Sequence, residues 1–263
     1  MSKEDLTPFL LAVYWVLSYL RVMKKLLSHI FAVVAVLMLS AEGTLASDKD
    51  AKYLINPVIV ELFTSQGCSS CPPADAFLKQ LDQQERVLGL SFHVDYWDYI
   101  GWKDPFASNL HTKRQKLYAD ALRARYVYTP QVVVDGRLDA MGADKTDINR
   151  CINHADKQMK LKLSRGQNGE ILFPQDHNGR NSSVWLVHFD REHTTKVLRG
   201  ENRGRTLTNA NVVRSIQHLG QWNGQAMALK APEFLADGFA VIVQSARNFG
   251  HGPVRASYAE FKF

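Results

Sequence analysis

The chain has 263 residues, 46% hydrophobic and 22% charged, which is ordinary globular usage and excludes a disordered, collagen-like or disulfide-dense chain. The net charge of +6 comes from 32 Lys and Arg against 26 Asp and Glu. The basic residues are scattered and no run reaches five, so no nucleic-acid partner is expected.

Met23-Lys24-Lys25, the apolar run from Leu26 to Leu39 and the small residues up to Ala46 have the order of a secretory signal. Residues 1–46 are therefore expected to be a signal peptide, with translation starting at Met23 and cleavage after Ala46. The run is shorter than the roughly 20 apolar residues of a spanning helix. A second run, Phe9 to Leu20, keeps a membrane anchor or hairpin as the alternative. Without the signal the chain has no stable membrane span. It is expected in the periplasm or secreted, where disulfides persist.

After a polar lead-in over 47–56, Pro57 to Phe63 (PVIVELF) predicts a buried strand. Cys71-Pro72-Pro73 opens a helix reaching about Gln84, with Phe77, Leu78 and Leu81 on one face. Val87 to Val94 predicts a second strand, and Thr112 to Arg125 a second helix. Gln131 to Val134 and a return strand to Ala140 flank Asp135-Gly136, a hairpin turn signal. A helix from about Thr146 to Lys160 follows. From Leu161 the pattern changes to short strands: 161–164, 170–173, 183–190, 195–198, 206–213, 226–229 and 239–246. The expectation is an α/β domain over 47–160, then a smaller antiparallel β-sandwich-like domain over 161–263.

The chemistry centres on Cys68-Ser69-Ser70-Cys71. A thiol attacks a disulfide only as its thiolate, and the N-terminus of a helix favours that anion through unpaired N–H groups and its dipole. Cys68, where the loop meets the helix, is the expected nucleophile. Cys71, one turn on, is the resolving thiol. A second C-x-x-C and an H-x-x-x-H pair are both missing, which argues against structural zinc. Pro130, after Thr129 and before a strand, would in its cis form bring backbone beside the dithiol. Glu61 would accept a proton from the resolving thiol. The plain alternatives are a structural disulfide at Cys68 and Cys71, a trans Pro130, and a Glu61 that faces solvent or pairs with a base.

Residues 58–135 resemble the thioredoxin-like superfamily. VELFTSQGCSSCPPAD (Val60 to Asp75), FHVDYWDYIGWKDPFAS (Phe92 to Ser108), YTPQVVVDG (Tyr128 to Gly136) and RGENRGRTLTNANVVR (Arg199 to Arg214) resemble a family of secreted bacterial thioredoxin-like proteins catalogued as a domain of unknown function. The resemblance implies a thioredoxin-like fold, an exported location and a dithiol at Cys68 and Cys71, with Pro130 in the cis-proline position. Gly67 and Ser69-Ser70 depart from thioredoxin itself, where Trp and Gly-Pro stand.

Thr129, Asp95, Trp97 and Trp102 are candidate substrate-binding residues, with Tyr99 and Phe106 as further groove candidates. His93 and Asp95 end the second strand, where they could bind substrate, hold a metal with the cysteines, or form a satisfied pair. Cys151 is expected to be a buried helix residue, with a mixed disulfide as the alternative. Arg199, Arg203 and Arg205 form a basic loop that could take an anion. The function expected is exported thiol–disulfide exchange with protein or small-molecule thiols of the cell envelope, with no organic cofactor. The rivals are a periplasmic copper carrier and a non-catalytic interaction protein.

Overall fold

The computed structural model describes Met23, residues 51–246 and residues 250–262. The expectations for the signal peptide over 1–46 lie outside the described residues, Met23 apart. Among the described residues no helix is long and apolar enough to cross a membrane.

The first elements follow the sequence closely. Strand β1 (Ala51–Ile55) precedes β2 (Val58–Thr64), whose seven residues are all buried. Helix α1 (Pro72–Leu81) carries Pro at its first positions and turns Phe77, Leu78 and Leu81 inward. Strand β3 (Val87–His93) leads to a 3₁₀ turn at Asp98–Ile100. Helix α2 (Asn109–Leu122) starts three residues before the predicted point, because Ser108 caps it by accepting from Leu110 N–H. Strands β4 (Gln131–Val134) and β5 (Leu138–Met141) form the predicted hairpin, with positive φ at Asp135 and Gly136. Helix α3 (Lys145–Asp156) is capped by Asp144.

The second half corrects the expected architecture. It contains β6 (Ser164–Arg165), β7 (Ile171–Phe173), β8 (Ser182–Lys196), β9 (Thr206–Trp222), β10 (Met227–Leu229), β11 (Gly238–Ser245) and β12 (Val254–Lys262). These strands do not build a separate sandwich behind an α/β thioredoxin-like domain. Nine strands join in one mixed sheet in the order β1-β12-β11-β8-β9-β3-β2-β4-β5, and β10-β7-β6 form a small second sheet. The described chain is mostly β, with three α-helices. The join is a parallel contact of β9 with β3 at Ser91 and Val212. Local periodicity identifies strands but not their neighbours, so the sequence pattern could not place this contact.

Two further differences have the same cause. The expected strands at 183–190 and 195–198 merge into one, β8, which ends at Lys196 and is held along its length by the 17-residue β9. The lead-in contains β1, which pairs with the C-terminal β12 from Ala51↔Lys262 to Ile55↔Tyr258.

Strand alternation divides the core around β2. Ile59 and Phe63 pack with Tyr118 of α2, and also with Val187, Phe189, Val213, Ile242 and Phe261 from the second half. Val60 and Leu62 pack on the other side with α1 and α3. A third cluster joins Ile171 and Phe173 to Val184, Leu186, Val241 and Tyr258.

Candidate functional site

Cys68 and Cys71 are joined by a disulfide with their Cα atoms 5.4 Å apart. Cys71 is the N-cap residue of α1, and its N–H donates to the Cys68 carbonyl at 3.2 Å. Pro72 and Pro73 have no N–H, and Ala74 N–H donates to the Cys71 carbonyl. The first turn therefore lacks the free amides expected from the sequence, and the helix dipole remains as the source of positive potential. Cys68 Sγ lies 3.4 Å from Ser70 Oγ.

Both cysteines are fully buried, although Ser69 and Ser70 between them are exposed. The segment joining β8 to β9 bonds to the backbone of the cysteine loop. Asn202 Nδ2 donates to the carbonyls of Gln66 (2.9 Å) and Cys68 (2.8 Å), and Ser69 N–H donates to Glu201 Oε2 (3.1 Å). On another side Gly67 has no side chain, and Trp97 and Ile100 close on it: a Cβ there would stand 3.2 Å from each. Trp102 Nε1 donates to Gln66 Oε1. A cavity of about 490 Å³ is lined by Pro72, Asp75 and Lys79 of α1, by Gln83 beyond its end, and by Thr206 and Thr208; neither cysteine lines it.

Glu61 does not face Cys71. Alternation along β2 turns it to the α2 side, while α1 packs on the opposite face. There Arg114 binds it at 2.5 and 2.8 Å, and Tyr118 Oη donates to it at 2.5 Å. Gln244 Oε1 accepts from the same guanidinium. Glu61 is thus the fixed partner of a buried base.

The acid on the α1 face is Asp75, one helical turn beyond Cys71. It is buried, and it accepts from Thr64 Oγ1 at 2.9 Å. Burial pushes its carboxyl up to about 6, and the charge of His93 only partly offsets this. His93 is itself fully buried, with Nδ1 2.7 Å from Asp104 Oδ2. Burial alone would depress its imidazolium, but the Asp104 carboxylate outweighs that and holds it above the ordinary value. Asp104 also accepts from Gln66 N–H at 2.8 Å, so this ion pair anchors the loop before Cys68. Asp75 was legible in principle: Cys71, Ala74, Asp75 and Leu78 have the spacing of one helix face, and a charge on that stripe is a signal.

The Thr129–Pro130 peptide is cis, and Pro130 is buried. Pro130 shares a close approach with Ala74 of α1 at Gly142, whose N–H donates to its carbonyl. Thr129 Oγ1 accepts from Trp97 Nε1 at 2.7 Å. Asp95 is directed elsewhere. It accepts from Thr112 (2.6 Å) and Asn109 (3.2 Å) at the start of α2, and these hydrogen bonds overcome its partial burial and hold its carboxyl low. Tyr99 is 82% exposed and stacks on Trp97, while Phe106 packs against His93 and His193. Among the described residues no three His, Cys, Asp or Glu side chains converge as a metal-binding group. Cys151 is a buried free thiol on α3. Arg199, Arg203 and Arg205 are exposed on the segment joining β8 to β9.

A family model described as "Protein of unknown function (DUF1223)" matches residues 59–244. The crystal structure of protein AGR_C_4864 from Agrobacterium tumefaciens is similar at 33% identity, over 76% of this chain and 91% of that one, with a TM-score of 0.66. HBP35 of Porphyromonas gingivalis is similar at 15% identity, over 78% of this chain and 75% of that one, with a TM-score of 0.49. No curated protein matches the chain.

Proposed function

The chain belongs to the DUF1223 family of proteins of unknown function, and from its own geometry we propose that it is an exported thiol–disulfide oxidoreductase. The observation that carries this reading is the Cys68–Cys71 disulfide at the start of α1, with a buried titratable acid on the same helix. Its partners are thiols or disulfides of the cell envelope, and the protein works in the periplasm or outside the cell.

In the oxidising direction a substrate thiolate attacks Cys68 Sγ. The Cys68–Cys71 bond breaks, a mixed disulfide forms, and Cys71 leaves as a thiolate that takes up one proton. Asp75, whose carboxyl is half protonated near pH 6, exchanges that proton. A second substrate thiolate then displaces Cys68, so the substrate gains a disulfide and the protein two electrons. The reverse sequence reduces a substrate disulfide. Pro130 and Thr129, beside the first turn of α1, present backbone to the bound partner. Trp97 holds Thr129, and Trp102 holds the loop through Gln66.

Trapping tests the assignment of the two cysteines. Cys71→Ser is expected to accumulate mixed disulfides through Cys68, and Cys68→Ser is not. Equal trapping by both variants would overturn the roles.

A further inference from the structure

The buried state of both sulfurs poses a physical problem for exchange. In-line attack on a disulfide needs an open path to one sulfur, and here neither has exposed surface. We propose that residues 198–205, the tip of the β8–β9 hairpin, form a cap over the Cys68–Cys71 disulfide that has to lift before either sulfur exchanges. This deepens the reading of the site as an exchanging dithiol, and it rests on that reading.

The contacts are those of a latch. Asn202 is fully buried, and its amide nitrogen donates to two backbone carbonyls of the cysteine loop, one of them Cys68's own. Its side-chain oxygen accepts from Arg205, which fixes the orientation of the amide. Glu201 adds the bond to Ser69 N–H. Gly200 lies on the aromatic segment, where a Cβ would stand 3.2 Å from Trp102 Cβ.

Apart from these contacts the tip is held mainly by its own backbone turns. Leu198, Arg199, Glu201, Arg203, Gly204 and Arg205 are exposed, so little apolar surface holds it down. Gly200 and Gly204 have φ of 73° and 83°, a region where glycine changes conformation at little cost. The strand register ends at Lys196↔Thr206, and beyond it Val197 N–H donates to the Arg205 carbonyl and Gly204 N–H to the Val197 carbonyl, closing the tip on itself. Below that point the body of the hairpin is pinned to α1 by Arg191 on Asp82 (2.7 Å) and Lys79 on Glu192 (2.5 Å). Opening therefore belongs to the tip, while the strands stay in place.

The test measures reduction of the native disulfide by excess dithiothreitol. One reagent dithiol becomes its cyclic disulfide, and Cys68 and Cys71 together gain two electrons and two protons. Thiol capture followed by mass analysis gives the rate, and the alkylation rate of Cys151, which lines a pocket on α3 away from the hairpin tip, reports any wider loosening when compared with the native protein. Asn202→Ala is expected to speed reduction at least tenfold with Cys151 labelling unchanged. A rate within twofold of the native protein would overturn the cap. Should Asn202→Ala also expose Cys151, Arg205→Ala decides by the same criterion, because it releases the amide from an exposed position. Faster reduction in a protein whose Cys71→Ser variant traps no partner would uphold the cap and overturn the oxidoreductase reading. Partner trapping with an unchanged reduction rate would do the reverse.

Discussion

Asp75 and Glu61 show how one side-chain type acquires opposite roles from its surroundings. Glu61 is paired with Arg114 and accepts a hydrogen bond from Tyr118 in the core. Removing one partner of such a buried pair leaves an uncompensated charge, which marks the network as structural. Asp75 has a hydroxyl and a more distant imidazolium, and burial dominates. A carboxyl that ionises near 3.8 when unfolded and near 6 when folded binds its proton more tightly in the fold. Its stabilising effect is complete below about pH 4 and is lost as pH rises through 6, leaving a cost of about 3 kcal/mol at neutral pH. His93 acts in the same sense, because its folded value is raised. His111 opposes both: burial pushes its imidazole down to about 4, so it weakens the fold as pH falls from 6.5 towards 4. Asp75→Asn removes the first contribution and, because the Asp75 charge helps to raise His93, part of the second as well. It is expected to stabilise the protein by about 1–3 kcal/mol at pH 8 and by much less at pH 4.5, read from urea midpoints. An equal effect at both pH values would contradict this account of Asp75.

At the scale of elements, the site is an intersection of three chain segments: the start of α1, the start of β4 and the end of β5. Their spacing depends on Gly142. A Cβ there would stand 2.7 Å from Pro130 Cβ and 2.9 Å from Ala74 Cβ, both on backbone that is held in place. Gly142 N–H also donates to the Pro130 carbonyl, so the strand cannot shift without losing that bond. Gly142→Ala is expected to cost about 1–3 kcal/mol by overpacking. An unchanged denaturation midpoint would show that the segments yield. Legibility varies at this scale too. α1 is marked by its prolines and its apolar face, and the β4–β5 turn by Asp135-Gly136. The start of α2 needed the hydrogen bond of Ser108, and β1 needed a partner 200 residues away.

The whole molecule is held together across the boundary that sequence composition suggests near residue 160. The described residues between Ala51 and Lys262 fall in one compact unit. β9 is the neighbour of β3 in the sheet, and Val187, Phe189, Val213, Ile242 and Phe261 complete the core around Ile59, Phe63 and Tyr118. A chain ending at residue 160 would expose one edge of β3 and much of this apolar surface. A fragment of residues 47–160 is expected to lack a cooperative urea transition and dispersed amide resonances. A fragment that unfolds with the midpoint of the full chain would refute the shared core. The same long hairpin that completes the sheet also carries Asn202, which bonds to the Cys68 carbonyl.

The order of residues by itself determined the local features: the buried strand β2, the proline-opened helix α1, the Asp-Gly hairpin and the placing of Cys68 and Cys71 at one junction. Each depends on contacts within a few residues, where periodicity and turn chemistry act directly. Tertiary structure alone decided that β9 lies beside β3, that Glu61 meets Arg114 while Asp75 is buried on the face of α1, and that Asn202 bonds to the carbonyls of Gln66 and Cys68. Those outcomes depend on which strand neighbours which and on which face a side chain takes in the assembled sheet. Both are set by burial of apolar surface summed over segments far apart in the chain.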